Sequence, residues 1–377
     1  MTGPASLLAW LTLLAAWQAD APAPRPTREA RLARQKSALE AELAAIDAFG
    51  HHDEFRDALL ELEKEYGEIE VGKERWAPVA SGALPMMAVD HWLEWHLPAK
   101  ERTLPVAVDV ELQNHPFPTI VDLSNQLHAH EIEFLLVVFP SRVQLHPELV
   151  LPSLGELAPD RFRGMVGATT RFLLALNEKG VETVDLAPPF VQARRVESAP
   201  GTTGELYLAR NKHWTPRAAE LAAKTVAERL REMSWYREGP LKEGADFELG
   251  RKTSPFTSSA GGQAPEAPPE KLELVQVRQK GKPLNPFDAR RSPIVVLSDS
   301  FAKFYVEHSA SFVDELRRFT GWPIDAIMPM GGAELQCRQE LARRGDGCRG
   351  KSVVIWLLQE DNLRLLPQYR KVDLFAE

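Results

Sequence analysis

The sequence has no excess of basic charge. Its 45 Lys and Arg stand against 53 Asp and Glu, a net charge of -8. Phosphate backbones are bound by concentrated cationic faces, so this balance argues against nucleic acid as the main partner. Cysteine is almost absent. The two present, Cys337 and Cys348, form no CxxC and no Cys/His spacing of the kind that holds zinc. His128 and His130 stand close together, but too far from carboxylates and thiols to read as ligands. No metal or other cofactor is expected. No repeat marks a solenoid or array. The N-terminal run Leu7 to Trp17, apolar except for Thr12, is too short for a membrane span and fits the core of a signal peptide.

What is present is a chain of 377 residues with 44% apolar side chains, enough for a sizeable core. Ala19 and Ala21 offer a small-residue cleavage signal, although no Lys or Arg precedes the run. Residues 1–21 are therefore expected to be a signal peptide or an N-terminal anchor, and the protein periplasmic or otherwise extracytoplasmic. In an oxidising compartment Cys337 and Cys348, eleven residues apart, would close a disulfide loop. Residues 22–83 read as a helical extension. Leu32, Leu39, Leu43, Ile46, Phe55, Leu59 and Leu62 have helical spacing, interrupted near Gly50, which predicts two amphipathic helices.

Residues 84–377 alternate strands and helices. Phe134–Phe139, Val181–Leu186, Pro293–Leu297, Pro323–Met328 and Ser352–Leu358 read as strands, several of them continuous apolar runs. Helices are expected over Phe117–His130, Arg161–Lys179, Thr215–Met233, Val306–Phe319 and Glu334–Arg344. This order predicts an α/β fold, a doubly wound, mostly parallel sheet. Residues 235–292 break the rhythm and read as an insertion at the sheet edge. Within it Arg251–Glu270 is rich in Ser, Pro, Gly and Ala, the composition of an exposed loop, while Leu272–Arg278 alternates as a β-ribbon would.

Two residues carry the chemistry. Ser300 follows the strand Pro293–Leu297, where active groups gather in open α/β sheets and where backbone N–H donors are at hand. A serine hydroxyl is a weak nucleophile and needs a base. His213 is the candidate, placed just before a helix that Thr215 and Pro216 would cap and start. Taken singly, a serine after a strand is more often a helix cap and a lone histidine more often surface.

Together the motifs resemble the serine-nucleophile, SGNH hydrolase-like domain of the alginate O-acetyltransferase proteins, over roughly residues 84–370. The landmarks fall in order: FLLVVFPSR (134–142), Val184-Asp185-Leu186, Asn211-Lys-His213-Trp214-Thr215, Ser298-Asp-Ser300-Phe301, and Val354-Ile-Trp356 through Glu360 and Asn362. The resemblance implies Ser300 as the residue that accepts an acetyl group, His213 as the proton shuttle, and Asn211 at the third position of the triad. It implies a polysaccharide substrate and a membrane-bound acetyl-donor partner. The chain departs from the pattern in three places. Asn211 stands for the family carboxylate, Ser298 for the glycine before the nucleophile, and Asp361 for an arginine of the closing motif. An asparagine at that triad position carries no charge to stabilise an imidazolium.

Three readings fit these residues: an O-acetyltransferase or acetyl-relay protein, a catalytically impaired polysaccharide-binding or scaffold protein of the same fold, and an acetylesterase. Trp214, Trp322, Arg338 and Arg343 are weaker candidates for sugar contacts, with packing or plain solvation the commoner fate of each.

Overall fold

The computed structural model describes residues 25–49, 116–145, 168–196, 206–208, 213–256, 270–280, 291–346, 348–363 and 369–375, with short pieces between 54 and 85 and at 153 and 282–283. The leader and most of the second expected N-terminal helix lie outside these residues. Among the described residues no helix is long and apolar enough to cross a membrane.

A five-stranded parallel sheet organises the molecule. Its strands are β1 (Glu133–Phe139), β2 (Glu182–Asp185), β5 (Ile294–Leu297), β6 (Asp325–Ile327) and β7 (Val353–Gln359), in the order β6-β5-β7-β1-β2. β7 pairs with β1 along its whole length and with β5 on its other side. The last strand in sequence thus lies at the centre, and every residue of it is buried. Such continuous apolar runs suit strands covered on both faces.

Alternate residues of each strand serve opposite faces. Leu135, Val137, Val296 and Ile355 join one core, with α4 (Ala187–Val196), α5 (Pro216–Arg231) and α7 (Phe312–Thr320). Phe134, Leu136, Val295 and Trp356 join the other, with α1 (Arg28–Phe49), α2 (Pro116–Ala129), α3 (Ala168–Glu178) and α8 (Gln336–Arg343). Helices on both faces make the sheet doubly wound, as expected. Five of the eight buried residues of α5 are alanine, Ala218, Ala219, Ala222, Ala223 and Ala227, each fully buried. Small side chains let that helix lie close against α7 and the sheet.

Between α5 and β5 runs an antiparallel ribbon of β3 (Phe247–Phe256) and β4 (Glu270–Gln279), paired over ten positions. The loop expected from residue 251 therefore starts later, because Arg251–Phe256 is taken up in pairing with β4. Three short strands between residues 70 and 85 form a separate antiparallel sheet.

Two expectations need correction. The helix expected over Val306–Phe319 is broken. A short 3-10 turn, Val306–His308, is followed by Ser309 in the left-handed region, and α7 begins afresh at Phe312. Ser311 caps it, accepting the Asp314 N–H, while the Asp314 carboxylate accepts the Ser311 N–H. This reciprocal box is a strong start signal. The expected disulfide is not formed either: Cys337 and Cys348 are both free, buried thiols in one core cluster. Cys337 bonds back to the Ala333 carbonyl of its own chain segment, and burial pushes the Cys348 thiol up to about 11.

Candidate active site

The site forms at the carboxyl ends of the parallel strands. β5 ends at Leu297, and Ser298 continues its direction with its N–H on the Ile327 carbonyl and its hydroxyl donating to the Leu357 carbonyl. Ser298 thus ties three neighbouring strands together through its side chain and backbone. Asp299 then caps the single turn α6 (Ser300–Lys303), accepting the Phe301 N–H at 2.9 Å. That bond holds one carboxylate oxygen of Asp299 on the backbone. Ser300 is the first residue of the turn and is nine per cent exposed.

His213 reaches Ser300 from a different part of the chain. Residues 206–208 and 213–215 run antiparallel, with Leu208 N–H on the His213 carbonyl and Thr215 N–H on the Leu206 carbonyl. Thr215 caps α5, and Pro216 opens it. The geometry puts His213 Nε2 at 2.9 Å from Ser300 Oγ. This is hydrogen-bonding distance for a hydroxyl nucleophile and a base. The imidazole lies flat against Phe304, with ring centroids 3.9 Å apart and planes 8° apart, and tilts against Phe301. Asn211, the third expected member, lies outside the described residues.

Trp214 is fully buried, packed on Phe139, Phe301 and Phe312, with its indole N–H on the Phe301 carbonyl. It is a strut between the two site segments and offers no face to a sugar. Arg338, also buried, lies over Trp356 and donates to the Glu334 and Arg370 carbonyls. Trp322 is half-buried with its indole N–H on the Arg237 carbonyl, and Arg343 is exposed.

A cleft of about 500 Å³ opens beside Ser300. Lys303, Phe304, Val306, Glu307, His308 and Met330 contribute to its walls. Met330 is seventy per cent exposed and precedes Gly331 and Gly332, both with positive φ, in the loop after β6. The residues of this wall lie in helical or apolar stretches that carry no signal of a site in sequence.

A second polar cluster sits at the ends of β1, β2 and β7. Glu360, fully buried, accepts the Ser141 N–H at 2.7 Å, the Ser141 hydroxyl at 2.5 Å and the Thr169 hydroxyl at 3.2 Å. Burial pushes its carboxyl up to about 7, against the pull of the Ser141 bonds, and the Asp185 charge adds to the rise. Asp185 is itself raised to about 6 by burial, although it accepts the Ala187 N–H.

The family described as SGNH hydrolase-like domain, acetyltransferase AlgX, matches residues 90–360. A curated protein of Pseudomonas fluorescens, named probable alginate O-acetylase AlgJ, is 26% identical over 141 residues, which is 37% of this chain and 32% of that protein. The aligned stretch thus spans about a third of that relative. Among solved structures, the O-acetyltransferase domain of Pseudomonas putida AlgJ is similar with a TM-score of 0.52 at 15% identity, covering 77% of this chain and 92% of that one. Pseudomonas aeruginosa AlgX has a TM-score of 0.48 at 18% identity, covering 71% and 61%.

Proposed function

This chain belongs to the family of SGNH hydrolase-like acetyltransferase domains of the AlgX type, and on that premise we propose that it transfers acetyl groups to hydroxyls of an extracytoplasmic polysaccharide through an acyl-serine. The observation that carries the reading is the 2.9 Å contact between His213 Nε2 and Ser300 Oγ beside an open cleft. In the first half-reaction Ser300 Oγ attacks the acyl carbon of a donor ester. His213 takes the serine proton and returns it to the leaving alkoxide. In the second, a sugar hydroxyl attacks the acyl-serine, His213 takes its proton, and Ser300 leaves with that proton restored. Atoms balance with no further reactant. The printed name of the Pseudomonas fluorescens relative makes alginate the first polysaccharide to try. A membrane-bound donor protein would supply the acetyl ester, and the leader at 1–21 would deliver the chain to the same side of the membrane.

Incubation with a small acetyl ester, followed by mass spectrometry of the intact protein, tests the first step. The wild type gains one acetyl group on the peptide containing Ser300, and Ser300→Ala gains none. Equal labelling of the two proteins would sink the proposal. Asn211 favours a second reading, a binding protein that kept the fold and lost the reaction. In that case the wild type stays unlabelled and still binds polysaccharide.

A further inference from the structure

Phe304 lies four residues after Ser300, and its position is set from behind. Its N–H bonds to the Ser300 carbonyl at 2.8 Å, and the next residue, Tyr305, is left-handed with φ 69. Left-handed backbone is unfavourable for a bulky residue and persists only where the surroundings enforce it. Here they do. The Tyr305 hydroxyl donates to the Trp214 carbonyl at 3.0 Å, and its ring packs with Leu208, Leu272 and Leu274. The ribbon strand β4 also holds the far end of the segment, with Val277 N–H on the Ser309 carbonyl and the Gln276 amide on the His308 carbonyl. A strained turn braced by a ribbon therefore presents one ring, flat, to the catalytic imidazole.

We infer that Phe304 is a positioning residue for His213, fixing the plane of the imidazole and stabilising its protonated form through the face of the ring. The inference rests on the Ser300–His213 reading above. It deepens that reading by assigning to an aromatic face part of the task that a charged triad member performs in related sites. An aromatic face is the negative part of the ring quadrupole and attracts a cation laid on it. During transfer the imidazole becomes that cation. A parallel ring at 3.9 Å also opposes rotation of the imidazole, so Nε2 stays aimed at Ser300 Oγ.

Among the described residues the charged and titratable groups around the pair are Lys303, Glu307 and His308 in the cleft wall and Asp299 before the nucleophile. None is altered by substitution at Phe304. The test is an NMR titration of the His213 ring in the full chain, assigned with His213→Gln, in wild type, Phe304→Leu and Phe304→Tyr. Phe304→Leu is expected to lower the His213 pKa by about half a unit to one unit, the size of an exposed to partly desolvated cation–π contact. Phe304→Tyr should retain the wild-type value. Simple loss of packing would admit water and move the pKa the other way, so a fall separates the two roles. The acid limb of kcat/KM should move to lower pH in the Leu variant, with kcat reduced roughly 5- to 10-fold. An unchanged or raised His213 pKa in Phe304→Leu overturns the inference. Phe304→Met, which fills the space without a ring, replaces the Leu variant if that protein does not fold. The titration reads His213 directly, so it decides the role of Phe304 even if no acetyl-enzyme forms.

Discussion

A carboxylate sealed from water stays charged only at a cost, and Glu360 is sealed completely. Its folded pKa of about 7 lies above the ordinary value of 4.5. The native state therefore holds a proton there that the unfolded state has released, over the window from about pH 4.5 to about pH 7. The stability this contributes is fully present below that window and is lost as pH rises through it. Its size is on the order of a few kcal/mol. Glu360→Gln mimics the protonated carboxyl and keeps an acceptor for the Ser141 N–H and hydroxyl. It should melt above the wild type at about pH 8 and show a shallower fall in Tm between about pH 5 and pH 8, the remaining fall coming from Asp185, Asp314 and Glu315, which burial also raises. If its melting curve keeps the wild-type slope, the buried proton is elsewhere. Neither this residue's burial nor the Phe304 stack was legible in the sequence, because each depends on partners far along the chain. Ser300 and His213 were legible, since each follows a local signal, a strand end and a helix start.

Elements dock through few contacts, and α1 shows which ones matter. Arg31 is one per cent exposed and forks onto Glu182 with two bonds of 2.8 Å, reaching Glu133 at 3.1 Å with the same guanidinium. Glu133 and Glu182 open the neighbouring strands β1 and β2. The helix is thus pinned to the edge of the sheet opposite the site. Losing these buried charge-assisted bonds costs about 2 kcal/mol, since Arg229 and Arg28 still pair with Glu182. Arg31→Ala should lower the urea midpoint accordingly and raise amide exchange throughout α1. Arg34, more than half exposed beside Glu232, is the control: Arg34→Ala should change stability by less than about 1 kcal/mol. An equal effect of the two would contradict the pinning role. Most elements could be read from apolar runs and periodicity, because the sheet is covered on both faces and its strands β1, β5 and β7 are nearly pure hydrophobe. The stretch after Phe304 misled because Val306, Phe312, Val313 and Leu316 keep helical spacing across a break. Its cause, a left-handed Tyr305 and Ser309 under the ribbon, is tertiary. The Ser311–Asp314 cap was the one local clue.

At the scale of the whole molecule, the Ser300–His213 pair and the buried Glu360 lie at one end of the sheet and the Arg31 ion pairs at the other. The two polar clusters at that end draw on segments far apart in sequence: the strand end at Ser141 and the close of β7 at Glu360 for one, the segment before α5 at His213 and the turn at Ser300 for the other. The order β6-β5-β7-β1-β2 lets that convergence occur at adjacent strand ends. The family resemblance was readable from the order of short motifs. The strand order was not, because nothing local in Val353–Gln359 states which two neighbours it will enter between.

That placement of β7 also sets when the protein can become folded. β1 and β5 have no direct partner in each other and meet only through the strand made last. Until residue 359 is available, two partial sheets face an empty slot whose edges offer unpaired backbone groups and apolar side chains. A chain truncated after residue 350 should lack cooperative unfolding in calorimetry, although most of its helices and strands are present. A cooperative transition in that fragment would contradict this order of assembly. Cooperative folding of this sheet therefore waits until residues 353–359 have been made, whatever has already formed before them.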